Sequence, residues 1–250
     1  MTLWLLGGHD PTHGAGLFRD IVTARMVAPE IPRRFGVTAR TAQGGGRPAR
    51  TWPAPAGHLR ARVARWPRPT AIKVGLVPDA LASEVADIVR STGAPVVVDP
   101  VLRASDGGAL GASPEGVAPR LAVATVITPN RPEAWALVGE PLTVAALGRR
   151  FAGHAVLLKD GHGADPTRVV DRLIRGPDVV ELARPRWDGP DPRGTGCALA
   201  TAIAAGLARG RRLELAVAEA VAWLDEQRHH CVPGPDGRAH LPDRDVLADP

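Results

Sequence analysis

One of the two cysteines in this 250-residue chain follows a short glycine-rich turn. Gly194, Thr195 and Gly196 precede Cys197, and an alanine-rich stretch of helical character follows. Glycines before a helix leave its first backbone N–H groups free to bind an anion, and the helix dipole favours negative charge there. The same field is expected to lower the thiol pKa of Cys197, so that the sulfur accepts a proton or a hydrogen bond from a substrate hydroxyl. The alternative is that Cys197 acts only as a small side chain that packs at the start of the helix.

Two acids and a lysine that follow predicted strands add a second set of candidates. Asp99 and Glu133 follow neighbouring strands and have the oxygen ligands that hold Mg²⁺, often through water. Taken singly, each acid also fits a helix cap or a solvated surface. Lys159 stands at a strand end, where an ammonium is able to bridge phosphates. An anion hole, a metal-holding pair and a lysine together describe phosphoryl transfer, without the GxxxxGK[ST] loop of P-loop enzymes.

The use of lysine in this chain is unusual. Among 31 basic residues only Lys73 and Lys159 are lysines, and the rest are arginines. In a chain so rich in Ala, Arg, Gly and Pro, lysine is expected to persist where a compact ammonium is needed and a broad guanidinium does not fit. The alternative is that these two lysines remain in the sequence by chance. The two lysines are therefore candidates for sites that need a point charge.

Composition excludes several classes of protein. The hydrophobic content of 44% and charged content of 23% are those of a globular protein, and the length suits one sizeable core. The net charge of +5 comes from scattered arginines without a basic block, so we expect no nucleic-acid partner. No apolar run approaches the ~20 residues that span a bilayer, and the run Leu3–Leu6 is too short for a signal peptide. With no disulfide framework, we expect a cytosolic protein without a membrane partner.

Strand-like apolar runs alternate with helical patterns along the chain. Strands are predicted at Leu3–Gly8, Gly36–Gln43, Ala71–Leu76, Pro95–Asp99, Ala124–Thr128 and Ala155–Lys159, with an antiparallel hairpin at Thr167–Ile174 and Val179–Ala183. Helices are predicted at Gly14–Ala28, His58–Trp66, Asp79–Ser91, Pro114–Leu121, Arg131–Val138, Val144–Phe151, Thr195–Arg209 and Leu213–His230. The Gly/Pro-rich segment Gly44–Gly57 is predicted to be a mobile loop.

This alternation predicts a three-layer α/β fold with a mainly parallel central sheet. We expect a single domain at residues 1–232 and a polar, loosely packed C-terminal tail at residues 233–250. Ligands of such sheets bind at the carboxyl ends of the strands. Nearly every polar candidate, including Asn130, follows one of these ends, which predicts a single active site.

Seven motifs occur in an order that is typical of one enzyme family. They are GGHDPTHGAGLFRD, TARTAQ, IKVGL, VVVDPV, ITPNRPEA, VLLKDGH and GTGC. On these motifs the chain resembles the hydroxymethylpyrimidine (HMP) kinase and HMP phosphate kinase of thiamine biosynthesis, within the ribokinase-like superfamily. The resemblance runs from about Leu3 to about Arg228.

The resemblance implies a reaction and a set of site residues. The γ-phosphoryl of ATP, with Mg²⁺, would pass to the hydroxymethyl group of HMP and then to HMP phosphate, in a homodimeric enzyme. Cys197 would occupy the position at which most of the superfamily has an aspartate base, and Gly194–Gly196 would hold the transferring phosphoryl. The remaining roles fall into two groups. Gln43, whose amide donates and accepts in one plane, would pair with the pyrimidine, with Gly8, Asp20, Gly75 and Val101 in or beside the pocket; Asp99, Glu133, Asn130 and Lys159 would serve the metal and phosphates.

The chain departs from the family pattern at several positions. His9 and His13 replace the usual serine and glycine, Asp160 replaces a glycine beside the phosphates, and Arg193 replaces the common histidine. The segment after Gln43 continues with three glycines instead of Asn-Thr. We expect Asp10 to tie down its loop by hydrogen bonds and the two histidines to line a pocket mouth, in preference to a metal site. The cluster His229–Cys231 also resembles a metal site, but neighbouring residues of a helix point in different directions.

Two alternatives to the HMP kinase stay open at this point. The same fold with a similarly sized ring would serve a pyridoxal or pyridoxine kinase. The altered segment after Gln43 and the presence of Arg193 also suit a kinase-like module that binds a pyrimidine without turnover. Retention of Cys197, Asp99, Glu133 and both lysines favours an enzyme.

Overall fold

The computed structural model of the chain describes residues 1–42, 49–104, 107–139, 142–161, 163 and 165–243. A nine-stranded sheet runs through it in the order β3-β2-β1-β4-β5-β6-β7-β8-β9. Neighbouring strands from β2 to β7 pair in parallel, whereas β3 at one edge and β8 and β9 at the other pair antiparallel. The strands are β1 Leu3–His9, β2 Arg33–Ala42, β3 Arg50–Pro53, β4 Ala71–Val74, β5 Val96–Val98, β6 Val126–Ile127, β7 Ala155–Leu158, β8 Arg168–Arg175 and β9 Asp178–Pro185.

Helices cover both faces of this sheet. They are α1 Gly16–Val27, α2 His58–Val63, α3 Ala82–Arg90, α4 Ala118–Leu121, α5 Arg131–Val138, α6 Val144–Arg150, α7 Thr195–Ala208 and α8 Leu213–Arg228, with a 3₁₀ turn at Asp79–Leu81 before α3. Among the residues described, no helix has both the length and the apolar character needed to cross a membrane.

Alternate residues of each central strand point into two separate cores. In β1, Leu3 and Leu5 pack with α1, α7 and α8, whereas Trp4 and Leu6 pack with the helices of the opposite face. This period of two is the pattern of a strand that is buried on both sides. The prediction of a three-layer fold with a mainly parallel sheet is therefore confirmed.

The sheet reverses its direction of growth between β1 and β4. The chain adds β2 and β3 on one side of β1 and then returns to place β4 on the other side. A crevice forms where the order reverses, at the carboxyl ends of the two strands. Gly7 and Gly8 lie near the end of β1 there, just before His9, and Gly75 follows β4. The topology thus creates the crevice at the strand ends that carry the sequence motifs.

Helix α7 lies deep in the first core. Its alanines from Ala198 to Ala205 are buried, and a Cβ on Gly206 would approach Ala216 Cβ of α8 to 2.9 Å. Small side chains allow this close approach of two helices. The segment is rich in alanine because a helix with neighbours on every side has room mainly for small side chains.

Two sequence expectations need correction. The predicted loop Gly44–Gly57 contains β3, which pairs with the end of β2 because Thr51 and Trp52 are good strand residues despite the flanking prolines. The chain after Pro233 is not loosely packed within its described part. Strands β10 (Val232–Pro233) and β11 (Ala239–His240) form a C-terminal hairpin, and Leu241 joins the first core with 2% exposure. The placement of a domain boundary at residue 232 stays a prediction.

Packing of Leu241 is testable by truncation of its side chain. We expect Leu241→Ala to lower the free energy of unfolding by about 2–4 kcal/mol, because the substitution removes buried apolar surface and leaves a cavity. Urea denaturation measures this change. Leu215→Ala, at a leucine of α8 that is 46% exposed, is the matched control and should change stability little. Equal effects of the two substitutions would contradict the packing of the C-terminal segment.

Candidate active site

Helix α7 begins at a glycine in the left-handed conformation. Gly194 has a φ of 79°, and a Cβ there would collide with the carbonyl oxygen of Gly14. A residue with a side chain would be strained at this φ and also lack space. No side chain in the described part of the chain caps this helix end, so the first N–H groups of α7 suit a ligand. The anion hole at Gly194–Gly196 stays a prediction.

A cavity of about 420 Å³ opens at the start of α7. Its wall includes eleven of the residues that the sequence nominated. They are Gly8, Asp20, Asp99, Val101, Asn130, Glu133, Lys159, Gly194, Thr195, Gly196 and Cys197. These residues come from β1, α1, α5, α7 and the ends of β5, β6 and β7, so segments far apart in sequence converge on one cleft. Their catalytic and binding roles remain predictions.

Two nominated residues stand apart from this group. Gln43 lies outside the described residues. Gly75 lies beneath the cavity, where a Cβ would come within 2.6 Å of Lys73 Nζ. A glycine at position 75 thus leaves room for the ammonium of Lys73.

Lys159 and Asp99 form an ion pair at the centre of the cleft. Lys159 Nζ donates to Asp99 Oδ1 over 3.0 Å, and Thr128 Oγ1 donates to the same oxygen over 3.2 Å. Burial alone would lower the pKa of Lys159, but the charges of Asp99 and Glu133 and the hydrogen bond to Asp99 together outweigh it and raise that pKa. A Cβ on Gly196 would lie 3.1 Å from Lys159 Nζ, so the ammonium borders the anion hole directly. A phosphate in the hole would therefore contact Lys159.

Glu133 caps the start of α5 and also faces the cavity. Its side chain accepts from Asn130 N over 3.0 Å, while Asn130 Oδ1 accepts from Glu133 N over 2.9 Å, which is a complete capping box. Burial raises the pKa of Glu133 to about 7, and the nearby Asp99 carboxylate adds to this rise. A cation between the two carboxylates would relieve their repulsion.

The sulfur of Cys197 does not behave as the sequence predicted. Burial, together with the Asp20 and Asp99 carboxylates, raises the thiol pKa to about 11. The Lys73 ammonium and a hydrogen bond from the Gly16 backbone act in the opposite direction but do not overcome burial. The predicted lowering of the thiol pKa at the helix start is wrong for the free protein. Burial of the sulfur destabilises the thiolate more than Lys73 and the Gly16 backbone stabilise it.

A second cavity of about 300 Å³ adjoins the first on the side of β8 and β9. The two cavities share Asn130, Lys159, Asp191, Thr195 and Gly196 in their walls. The second one also contains three arginines and an indole, contributed by Arg184, Arg186, Arg228 and Trp187. Two spaces that meet at an anion hole and a lysine suit a donor and an acceptor of a phosphoryl group.

Comparison with known proteins gives the family. The family model described as phosphomethylpyrimidine kinase matches residues 10–237. The hydroxymethylpyrimidine/phosphomethylpyrimidine kinase of Streptomyces coelicolor is 37% identical over 237 residues, which cover 88% of this chain and 85% of the relative. The chain belongs to the phosphomethylpyrimidine kinase family. It is therefore a phosphotransferase, as the sequence motifs predicted.

Solved structures agree with this assignment. The phosphomethylpyrimidine kinase of Clostridium difficile superimposes with a TM-score of 0.71 at 25% identity, and the match covers 90% of this chain and 97% of that one. An ADP complex of the pyridoxal kinase of Bacillus subtilis has a TM-score of 0.83 at 22% identity and covers 99% of both chains. The second likeness shows the ribokinase-like fold alone. Use of ATP is in keeping with this fold.

Arg193, where the phosphomethylpyrimidine kinase family commonly has histidine, holds three segments together. Its guanidinium donates to Asp10 over 3.1 Å, to Thr12 over 2.8 Å and to Asp236 of the C-terminal hairpin over 2.5 Å. Burial would raise the pKa of Asp236, but the bond from Arg193 holds it at about 2. Asp10 also accepts from Thr12, which confirms that Asp10 ties down its loop.

The other departures from the family pattern lie away from the reacting groups. The ring of His13 stacks on Phe18 with centroids 4.2 Å apart, and neither His13 nor His9 is among the described residues that line the cavities. The expectation that they line a pocket mouth stays a prediction. Asp160 binds Arg131 over 2.9 Å and is likewise absent from both sets of lining residues, because this bond directs its carboxylate to α5. No group of three or more residues that could hold a metal occurs among the residues described, which include His229–Cys231.

Several cavity residues were not foreseen from the sequence. Thr41, Leu102, Asp191 and Arg238 line the first cavity without having been nominated. Asp191 precedes the GTGC motif closely, and its position there was a usable signal. Arg238 belongs to the C-terminal hairpin, and a polar, proline-rich stretch gives no sign that it folds back on the site.

The raised pKa of Glu133 makes stability depend on pH. Its folded-state pKa of about 7 exceeds the ordinary 4.5, so the folded protein keeps a proton that the unfolded chain loses in this window. The free energy of unfolding of the metal-free protein should therefore fall as pH rises from about 4.5 to about 7, by up to about 3 kcal/mol. Glu133→Gln keeps the cap and should remove this fall, which makes the variant more stable than the wild type at about pH 8. Urea titrations in EDTA measure it, and identical pH profiles would contradict the assignment.

Proposed function

We propose that the protein transfers the γ-phosphoryl of ATP to the hydroxymethyl group of HMP, and then a second phosphoryl to HMP phosphate, in thiamine biosynthesis. Family membership and the name of the Streptomyces coelicolor relative support this substrate. The observation that carries the proposal is the meeting of two cavities at Lys159, Thr195 and Gly196. A phosphoryl group that moves from one cavity to the other must pass these residues.

The second cavity is the proposed ATP site. Arg186 donates to the backbone oxygens of Gly161, Gly163 and Asp165, so it holds the described part of the segment after β7 beside this cavity. Lys159 follows the same strand and extends toward the shared wall. The triphosphate would approach the start of α7 along this wall, where the helix dipole and the ammonium attract it.

The first cavity is the proposed site of the pyrimidine. Leu76, Val101, Leu102 and Leu110 give it an apolar surface that suits one face of a small aromatic ring. Pairing of the Gln43 amide with the aminopyrimidine edge stays a prediction, supported by its place directly after β2. The hydroxymethyl group would then point toward Cys197 and the anion hole.

Asp99 and Glu133 fit a magnesium ion by their chemistry. Both line the cavity with carboxylate oxygens, which are the ligands that Mg²⁺ prefers. Burial raises the pKa of Glu133 and the Asp99 carboxylate adds to this rise, so a cation beside the two carboxylates would be favoured. When bound, Mg²⁺ supplies charge neutralisation to the phosphates. We propose these two residues as its holders, directly or through water.

The chain's own groups then have distinct tasks during transfer. The N–H groups of the α7 start and the ammonium of Lys159 bind the charge on the moving phosphoryl. Cys197 orients the hydroxyl of the substrate and takes its proton as transfer proceeds. Phosphoryl transfer is largely dissociative, so the nucleophile needs its proton removed late and the small thiolate population of a thiol with a high pKa suffices.

Consumption of ATP with three acceptors tests the proposal. Purified protein is assayed with HMP, HMP phosphate and pyridoxal, with phosphorylated products identified by mass spectrometry. We expect turnover of HMP and HMP phosphate, with a kcat/KM for pyridoxal at least about tenfold lower. Preference for pyridoxal would overturn the substrate, and binding of HMP without formation of ADP would favour the non-catalytic module.

Substitution of Cys197 tests its part in transfer. Cys197→Ala should lower kcat by about a hundredfold or more while HMP still binds, because a group that receives a proton in the transition state is lost. In the wild type, kcat should rise with pH above about 7, since the thiolate fraction grows toward a pKa of about 11. Cys197→Asp should retain turnover and lose this rise. Cys231→Ala is the control, and an unchanged kcat in Cys197→Ala would return Cys197 to a packing role.

Three further assignments are also proposals. A homodimer, a cytosolic location and a single domain over residues 1–232 follow from the resemblance and the composition. Size-exclusion chromatography with light scattering measures the first of these directly.

A further inference from the structure

One buried ion pair in the cavity has no task in the transfer described above. Lys73 and Asp20 are both 0% exposed, and Lys73 Nζ donates to each carboxylate oxygen of Asp20 over 2.7 Å. Both residues border the cavity that contains Cys197. Burial alone would lower the pKa of Lys73, but Asp20 raises it, so the ammonium keeps its charge. A fixed positive charge therefore lies beneath the reacting groups.

Such a pair is costly and needs a reason other than stability. Two charges lose their hydration on burial, and well-packed apolar residues of similar size are often equally stable or more so. Lysine is also rare in this chain, and both lysines pair with an aspartate in this one cleft. Lys73 Nζ occupies the space that a Cβ on Gly75 would need, at 2.6 Å from that place, so the absence of a side chain at position 75 makes room for the ammonium. The compact ammonium is thus a specific requirement of the site.

A hydrogen bond connects the pair to the helix that carries the sulfur. Thr201 Oγ1 donates to Asp20 Oδ1 over 2.9 Å, and Thr201 is fully buried. Thr201 stands four residues after Cys197, so the two side chains share one face of α7. The chain of bonds from Lys73 through Asp20 to Thr201 joins β4, α1 and the second turn of α7. It fixes the helix that presents both the anion hole and Cys197.

We propose that Lys73 is a positioning residue for phosphoryl transfer, which through Asp20 and Thr201 holds the first turns of helix α7 and places positive charge beneath Cys197. The proposal rests on the kinase function proposed above. Its effect falls on the transfer step, since the contacts of Lys73 run to the catalytic helix and the pyrimidine would contact other parts of the wall.

Substitution of Thr201 separates this role from packing. Thr201→Val keeps the shape and removes the donor, and it should lower kcat about tenfold while KM for HMP changes less than about twofold. Thr201→Ser keeps the hydroxyl and should restore kcat to within about twofold of the wild type. Thr23→Val is the matched control, because Thr23 is a buried threonine of α1 whose hydroxyl has no hydrogen-bond partner among the described residues. It should leave kcat and the melting temperature unchanged.

A readout that needs no substrate keeps the inference separate from the proposed function. In a Cys231→Ala background, the rate of alkylation of Cys197 by iodoacetamide is followed by mass spectrometry. The double variant Lys73→Met/Asp20→Asn removes both charges, which avoids an unpaired buried carboxylate, and should slow alkylation about threefold or more. Thr201→Val should slow it in the same direction.

The outcomes divide cleanly between the two proposals. If no acceptor is phosphorylated but alkylation slows as expected, the proposed function fails, and what stands is the effect of Lys73 on helix α7 and Cys197. If HMP is phosphorylated and both Thr201→Val and the double variant retain the kcat and alkylation rate of the wild type, the positioning role is overturned. A loss of kcat in Thr201→Val that is matched by an equal loss in Thr201→Ser, or that follows the melting temperature alone, also overturns it.

Discussion

The start of helix α7 is the fixed point from which the site is built. Gly194 enters the helix in the left-handed region and leaves space for nothing larger. Behind this turn the helix is buried among strands and helices, with Gly206 against Ala216. A helix enclosed in this way cannot slide without disruption of a close-packed core. The open N–H groups at its start therefore keep one position relative to the strand ends that carry the charged residues.

Charge is concentrated around this point at a considerable energetic cost. Lys159 and Asp99 are paired, whereas burial raises the pKa of Glu133, with the Asp99 carboxylate adding to the rise and Lys159 opposing it. Burial of charge opposes folding, and a protein tolerates it where a bound partner completes the balance. In the reaction proposed above, that partner would be a phosphate with its cation. Their binding would relieve the unfavourable burial of charge in the free protein.

The sequence predicted the convergence of the site better than its local chemistry. Parallel strands end at one edge of a sheet, so residues such as Asp99 and Lys159 could be placed together from the strand pattern alone. The pKa of Cys197 could not be predicted in this way, because it depends on how much water reaches the sulfur and on charges brought by α1 and β4. Strand β3 was missed because the glycines and prolines around it are typical of a loop, although Thr51 and Trp52 favour a strand that pairs with β2. The bonds of Arg193 to Asp10 and Asp236 join residues too far apart for any local pattern to reveal.

The C-terminal hairpin has a consequence for the order in which the protein is made. Arg193 bonds at once to the first loop of the chain and to Asp236, and Arg19 donates to the carbonyl oxygens of Leu241 and Pro242. These contacts join residues that are synthesised early to residues that are synthesised late. This wall of the pocket therefore forms only after the C-terminal hairpin has been synthesised. Closure over so long a stretch of chain is entropically expensive and slow. Catalytic competence therefore arises after synthesis of the hairpin, and a nascent chain that already contains the whole central sheet still lacks a finished pocket.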